Sequence, residues 1–129
     1  MQTFKELLDS SALKATHQRL AILNELDKKG HASIEEIYES IKQNFPSMSL
    51  ATIYKNISSL KDKQIVSEVC THPKSKFEIT KEPHAHFICK ICGEIEDIEF
   101  SDAIIDELEK KYPKSKKELY IYSICDKCK

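Results

Sequence analysis

The chain has 129 residues, of which 40% are hydrophobic and 32% charged, so a globular protein is expected and an intrinsically disordered one is excluded. The formal net charge of −1 excludes a basic surface as a whole, and any nucleic-acid contact must come from a few well-placed cations. The two glycines leave no glycine-rich phosphate loop, and no apolar run reaches the roughly 20 residues of a membrane-spanning helix.

Three amphipathic helices are predicted in the first half of the chain. Each begins after a residue that can cap a helix: Thr16, Ser33 and Ser49. Their expected ends are Gly30, Pro46 and about Lys63. Ser33 and Glu36 have the spacing of a capping box. The core-facing stripes are Leu20, Ile22, Leu23 and Leu26, then Ile34, Ile37, Ile41 and Phe45, then Leu50, Ile53, Ile57 and Leu60.

The third of these helices has a second face of a different kind. Since an α-helix turns by about 100° per residue, the side opposite its apolar stripe carries Ala51, Lys55, Ser58, Ser59 and Asp62, flanked by Thr52 and Tyr54. Small residues and hydroxyls around one lysine would let this face approach another surface closely.

A β-hairpin is predicted after the helices. Two short alternating segments, 65–70 and 76–80, are joined by a turn at 72–75. Three helices followed by a hairpin are typical of a winged helix-turn-helix, although the pattern alone fits a generic small helical domain with a β-wing equally well. A break at residues 81–83 predicts a hinge, with one domain at 1–81 and a second at 82–129.

The second domain is predicted to be a small α/β unit. Strands are expected at 86–89, 94–99 and 118–123, and a helix capped by Ser101 uses Ile104, Ile105, Leu108 and Tyr112. Roughly 50 residues are few for independent stability, so a bound zinc ion and dimerisation are the expected supports.

Four cysteines form two C-x-x-C pairs, Cys89 with Cys92 and Cys125 with Cys128. Two such pairs can complete a tetrahedral shell of four sulfurs around one Zn²⁺. The rival interpretations are redox pairs and disulfides. The Cys92–Gly93 sequence is typical of a zinc knuckle, and the absence of a signal sequence favours the reducing cytoplasm, where cysteines are more often metal ligands.

A second metal site is suggested by His84 and His86, which would point the same way on a strand. Glu78, Asp97 and His31 could join them from both sides of the predicted hinge. Imidazole and carboxylate ligands suit Fe²⁺, Mn²⁺, Co²⁺ or Zn²⁺. The alternative is a set of ordinary surface histidines and acids.

The ordered set of motifs resembles the ferric uptake regulator (Fur) superfamily along nearly the whole chain. The residues that carry the resemblance are 15–20 (ATHQRL), 49–56 (SLATIYKN), the His84-Ala85-His86 motif and the two cysteine pairs. Members are cytoplasmic, homodimeric, metal-dependent transcriptional repressors and not enzymes. The resemblance implies an α+β protein with an N-terminal winged helix-turn-helix that binds a palindromic DNA operator and a C-terminal α/β domain that dimerises.

The resemblance also implies residue roles. One structural Zn²⁺ per chain would be held by Cys89, Cys92, Cys125 and Cys128. One regulatory Fe²⁺ or Mn²⁺ per chain would be held by His31, Glu78, His84, His86 and Asp97. Double-stranded DNA would be contacted by Lys14, Arg19, Ser49, Ala51, Thr52, Tyr54, Lys55 and Ser58.

The resemblance is closer to the peroxide-sensing branch than to the iron-sensing one. The third metal site of many iron sensors is expected to be missing, because the matching positions are Pro83, Ala85, Ile104 and Lys117. Glu78 argues the other way, since peroxide sensors generally have aspartate there. The expected function is therefore a peroxide-sensing repressor, with an iron-responsive repressor as the alternative. A thiol oxidoreductase and a zinc-stabilised protein-interaction module are remoter alternatives.

Two residues depart from the family pattern. His17 stands where proline is usual and is expected to be a surface residue or a phosphate contact. Cys70, the fifth cysteine, is expected to be a small core residue, with a redox role as the alternative.

Overall fold

A computed structural model describes residues 3–69, 71, 74–80, 84–115 and 117–129. The chain divides into two compact units, an N-terminal unit, Met1–Thr80, and a C-terminal unit, Lys81–Lys129. The N-terminal unit contains α1 (Phe4–Ser10), α2 (His17–Lys29), α3 (Ile34–Ile41), α4 (Leu50–Asp62), β1 (Val66–Val69) and β2 (Lys76–Ile79). The C-terminal unit contains β3 (His84–Cys89), β4 (Ile95–Glu99), α5 (Asp102–Lys111) and β5 (Leu119–Ser123). No helix among these residues is long and apolar enough to cross a membrane.

The predicted caps of the N-terminal unit are confirmed. The side chains of Thr16, Ser33 and Ser49 accept hydrogen bonds from the backbone three residues on, and the capping box of α3 is complete. Gly30 ends α2 with φ of +82°, a conformation that glycine adopts without the steric cost of a Cβ. These local signals set where each helix starts and therefore which face each one turns to the core.

The core of the N-terminal unit is made by the predicted stripes of α2, α3 and α4. Ile22, Leu23, Leu26, Ile37, Ile41, Ile53, Ile57 and Leu60 are all buried. Two expectations were wrong. Leu50 is 44% exposed, because it is the first residue of α4 and extends past the packed turns. Helix α3 ends at Ile41 and not at Pro46, although Phe45 still packs on the core from the following turn.

Helix α1 was not predicted. Its seven residues bury one side chain completely, that of Leu8, and Thr3 caps its N-terminus. Phe4 and Leu7 pack on the core beside Leu8, but an apolar repeat of two turns is too short to predict a helix from the sequence.

The predicted hairpin is confirmed as the antiparallel pair β1–β2, with Val66 opposite Ile79 and Val69 opposite Lys76. A further antiparallel bridge joins Ala32, in the turn between α2 and α3, to Phe77 of β2. The helices and hairpin together form the predicted winged helix-turn-helix. Cys70 and the turn residues His72 and Pro73 lie outside the described residues, so the expectation for Cys70 stays a prediction.

The C-terminal unit is built on a three-stranded sheet of order β4-β3-β5. β3 pairs antiparallel with β4 and parallel with β5. Helix α5 connects β4 to β5, so the chain crosses over β3 through this helix. β3 starts two residues earlier than predicted because His84 pairs with Glu99. Helix α5 follows its predicted cap Ser101, yet it buries no residue in the single chain, and Ile104 and Tyr112 are 48% and 55% exposed.

Candidate metal centres and nucleic-acid interface

The parallel pairing of β5 with β3 brings the two cysteine pairs together. Cys89 ends β3 beside Ser123, the last residue of β5, so the chain reaches Cys125 two residues later at the same end of the sheet. Gly93, with φ of +77°, donates its N–H to the Cys89 carbonyl at 3.0 Å and closes the first turn. The four Sγ atoms lie within 4.8 Å of one another, and all four thiols are free.

The geometry of the four thiols fits a zinc ion. Four sulfurs at about 2.3 Å from one Zn²⁺ are separated by about 3.8 Å. The Sγ atoms of Cys92 and Cys125 are 3.8 Å apart. The backbone N–H groups of Cys125, Cys92 and Ile91 donate to Cys89 Sγ at 3.5, 3.5 and 3.4 Å. These residues would hold one structural Zn²⁺, which would tie the last turn of the chain to the sheet.

The thiols differ in how readily they lose a proton. The N–H groups, first that of Cys125 and then that of Cys92, lower the pKa of the Cys89 thiol to about 6. Hydrogen bonding with Cys125 raises the pKa of Cys128 to about 12. Thiols crowded this closely cannot all ionise on their own, and a divalent cation is the usual means of compensating four thiolates.

In the N-terminal unit, the bridge between Ala32 and Phe77 places His31 opposite Glu78. Ala32 donates its N–H to the Phe77 carbonyl at 3.0 Å, and the Phe77 N–H donates to the Ala32 carbonyl at 2.8 Å. His31 precedes Ala32 and Glu78 follows Phe77, and Nε2 of His31 lies 2.9 Å from Oε2 of Glu78. Glu78 is 2% exposed, so its carboxylate is held in a buried position at the base of the wing.

In the C-terminal unit, His84, His86 and Asp97 form a second cluster. Both histidines lie on the same face of β3 as predicted, with ring centroids 4.5 Å apart. Asp97 stands directly opposite His86 on β4. One carboxylate oxygen, Oδ1 of Asp97, lies 3.5 Å from Nε2 of His84 and 3.6 Å from Nε2 of His86. Three donors converge on one point, and this donor set suits Fe²⁺ or Mn²⁺.

The predicted DNA-facing side of α4 is exposed. Ala51 and Lys55 are exposed, Tyr54 is 63% exposed, and Ser58 is half-buried. Ser49 and Thr52 are engaged with each other, since the Ser49 hydroxyl accepts the Thr52 N–H at 3.2 Å and lies 3.1 Å from its hydroxyl. Of the six predicted contacts on this helix and its N-cap, Tyr54 and Lys55 are therefore the best placed to reach a partner.

Lys14 and Arg19 are linked by a hydrogen bond. Lys14 is exposed in the loop before α2, and Nη1 of Arg19 donates to its carbonyl at 2.9 Å. Arg19, expected to lie near phosphates, thus also holds the backbone that carries Lys14. His17 is the first residue of α2 and is exposed, in line with a surface role.

Tyr120 was missed by the sequence prediction. Its ring is stacked on that of His86, with centroids 5.6 Å apart. The alternation of residues 118–123 predicted the strand, but the parallel register that sets Tyr120 beside His86 depends on the crossover through α5.

A winged helix-turn-helix, a second α/β unit with a four-thiol cluster and a histidine–carboxylate cluster define a metal-dependent DNA-binding repressor. The chain belongs to the ferric uptake regulator family, whose model matches residues 10–125. It is 32% identical to the peroxide-responsive repressor PerR of Staphylococcus epidermidis, over 95% of this chain and 85% of that one.

Two solved structures have similar folds. The Campylobacter jejuni peroxide stress regulator is 37% identical, with a TM-score of 0.77 over 99% of this chain and 100% of that one. The Vibrio cholerae ferric uptake regulator is 32% identical, with a TM-score of 0.76 over 95% of this chain and 100% of that one. The predicted family, fold class and metal-dependent repressor function are confirmed. Repressors of this family are dimers that bind operator DNA.

Proposed function

We propose that this protein is a peroxide-sensing repressor of the cytoplasm, in which one Fe²⁺ or Mn²⁺ per chain keeps a dimer in its DNA-binding form. The observation that carries the proposal is the convergence of Nε2 of His84 and Nε2 of His86 on one oxygen of Asp97. The similarity to peroxide-responsive repressors over nearly the whole chain supports the sensing role.

The regulatory ion would take ligands from both units. His31 would supply a nitrogen from the turn between α2 and α3, and Glu78 a carboxylate from the wing. His84, His86 and Asp97 would supply two nitrogens and a carboxylate from the sheet. Five nitrogen and oxygen ligands suit Fe²⁺ or Mn²⁺ better than a four-coordinate Zn²⁺. An ion shared in this way restricts how the two units are oriented, and it favours DNA binding by the difference in its affinity for the two forms.

DNA recognition is assigned to α4. Dimeric helix-turn-helix proteins place two such helices in successive major grooves of a palindromic site. Lys55 can donate to guanine O6 and N7, and Tyr54 can contact a thymine methyl group. The same side of α4 and its N-cap also carry the other predicted DNA contacts, Ser49, Ala51, Thr52 and Ser58. Lys14, on the backbone held by Arg19, adds a cation next to the helices.

Sensing requires one oxidation event and no turnover. Fe²⁺ held by these residues would supply the reactivity toward H₂O₂. In the net step, one oxygen of H₂O₂ would be inserted into a ring C–H bond of His31 or His84, and the other would leave as water. The imidazole would lose two electrons and become a poorer ligand, so the site would hold its ion less tightly and DNA binding would be lost. The protein is consumed in this step, which is why we assign it no enzymatic activity.

Glu78 favours a second candidate, an iron-responsive repressor. Its side chain is one methylene longer than the aspartate that peroxide sensors generally have. A longer side chain changes the position and angle at which the carboxylate coordinates the ion. The 32% identity to the Vibrio cholerae ferric uptake regulator is compatible with this alternative.

The deciding experiment is anaerobic loading with Fe²⁺, a short pulse of near-stoichiometric H₂O₂, and then peptide mass spectrometry beside a DNA-binding assay. The expected result is a gain of one oxygen on His31 or His84 together with loss of DNA binding, neither of which occurs in a Mn²⁺-loaded control. Intact histidines with DNA binding that follows free Fe²⁺ would support the iron-responsive alternative instead.

A further inference from the structure

Tyr120 lies against one face of the His86 ring. The two residues are directly paired across the parallel strands β3 and β5, so their side chains leave the same face of the sheet. Their ring centroids are 5.6 Å apart, and their planes are inclined by 25°. This centroid separation is in the range at which aromatic rings attract each other.

His86 is enclosed on more than one side. The ring of His84 lies 4.5 Å from it at a tilt of 58°, and His86 is only 7% exposed. Tyr122, two residues further along β5, continues the row with its ring 6.2 Å from that of Tyr120. The rings of His84, His86, Tyr120 and Tyr122 therefore form one row on this face of the sheet. Within the row, Tyr120 of β5 contacts His86 of β3, a proposed ligand of the regulatory metal.

We propose that Tyr120 is a positioning residue that holds the His86 imidazole in the orientation needed to bind the regulatory ion. The proposal rests on the proposed function, because it takes His86 as a ligand of that ion. An imidazole can rotate about two side-chain bonds, and a stacked ring removes most of that freedom before the ion arrives. The fixed ring keeps Nε2 3.6 Å from Oδ1 of Asp97, where the other donors converge.

The chemistry of the contact makes the ring the important part of Tyr120. Stacking uses the aromatic face, which Tyr120→Phe keeps and Tyr120→Leu removes while leaving an apolar side chain. The interaction energy of a stacked pair corresponds to a change of about twofold to tenfold in the metal-binding constant. Groups that orient a metal ligand are generally needed for full affinity.

The test compares Mn²⁺ affinity of the zinc-containing dimer in wild type, Tyr120→Leu and Tyr120→Phe, with Tyr122→Leu as the matched control. We expect Tyr120→Leu to bind Mn²⁺ about threefold to tenfold more weakly. Tyr120→Phe should recover the affinity, and Tyr122→Leu should stay within twofold of wild type. Equal affinity of Tyr120→Leu and wild type would overturn the proposal, as would equal weakening by Tyr122→Leu.

A second measurement does not depend on metal binding or on any variant. In wild-type protein that keeps its structural zinc but holds no regulatory metal, NMR should give contacts between the His86 and Tyr120 ring protons and an upfield ring-current shift of the His86 protons. Their absence would overturn the stacked arrangement even if Tyr120→Leu does not fold. Failure of the proposed function is recognised separately. If His86→Ala binds Mn²⁺ as wild type does, His86 is not a ligand and the metal assignment itself is wrong.

Discussion

Nε2 of His31 lies 2.9 Å from Oε2 of Glu78, and two backbone hydrogen bonds between Ala32 and Phe77 hold them there. The pair links the turn between α2 and α3 to β2, so it joins the helices of the winged helix-turn-helix to its wing. A ligand bound by His31 and Glu78 would therefore stabilise the DNA-binding unit internally, in addition to any effect on the second unit.

Glu78→Gln is expected to weaken regulatory-metal binding strongly. The substitution keeps the size of the side chain but removes the buried negative charge, and losses of about tenfold to a hundredfold in Mn²⁺ affinity are the usual scale for such changes. Titration with Mn²⁺ by calorimetry measures the effect. Glu68→Gln is the matched control, because Glu68 is on β1 of the same wing and pairs with Lys61 at the surface. Similar losses in both variants would indicate damage to the wing and not a ligand at Glu78.

Lys55→Ala is expected to reduce affinity for operator DNA by about fivefold to a hundredfold, the scale of one lost base contact. Lys55 is exposed on the face of α4 opposite the core, so its removal leaves the packing intact. Fluorescence anisotropy with metal-loaded protein gives the affinity. Lys42→Ala serves as control, since Lys42 is an exposed lysine that caps the C-terminus of α3 and pairs with Glu39. An unchanged affinity of Lys55→Ala would rule out α4 as the recognition helix.

The sequence predicted those parts of the protein that local chemistry determines. Caps at Thr16, Ser33 and Ser49 and the stop at Gly30 are local signals, and each is present in the structure. His84 and His86 share a face because side chains alternate along a strand. The contacts that could not be predicted depend on register between distant strands, such as Tyr120 on His86 and the Ala32–Phe77 bridge behind His31 and Glu78. The exposure of α5 was missed because its apolar repeat predicts that one face is buried, and a sequence repeat does not identify the surface against which that face packs.

Removal of zinc is expected to destabilise the C-terminal unit. The sheet of that unit buries few side chains, and the four-thiol cluster is what ties Cys125 and Cys128 to β3. Cys128→Ser should lose stoichiometric zinc and lower the melting temperature by circular dichroism. Zinc binding should also weaken as pH falls, since protons compete for the thiolates. A variant that keeps one zinc per chain, measured by metal analysis, would exclude Cys128 as a ligand. Rapid thiol titration of the native zinc-loaded protein would instead favour redox chemistry at these cysteines.

The capping box of α3 is expected to make stability depend on acid pH. Burial would raise the pKa of Glu36, but hydrogen bonds from the Ser33 N–H and hydroxyl and the charge of Lys76 outweigh it and hold this pKa below its usual 4.5. A lowered pKa means that ionised Glu36 stabilises the fold above its unfolded-state pKa, and that this contribution is lost as pH falls through the folded-state value. Glu36→Gln should therefore melt below wild type at pH 7, and the difference should shrink below pH 4.5. Glu39→Gln, at an exposed carboxyl on the same helix, should show little difference at either pH. A difference in melting temperature between wild type and Glu36→Gln that stays as large in acid would contradict this explanation.

Ile104→Glu is expected to weaken the dimer. A groove of about 550 Å³ is lined by apolar residues that include Ile104 and Leu108 of α5, Phe100 just before α5, and Leu119 at the start of β5. β5 is also an edge strand, and its Leu119 and Ile121 are 46% and 42% exposed. An apolar face beside an open strand edge is what a second copy of the chain would cover in a dimer. Burying a charge there should raise the dimer dissociation constant at least about tenfold by sedimentation velocity. Ile91→Glu, the same change at an exposed isoleucine outside the groove, should leave the dimer intact. The reverse result would place the interface at the zinc knuckle and not on α5 and β5.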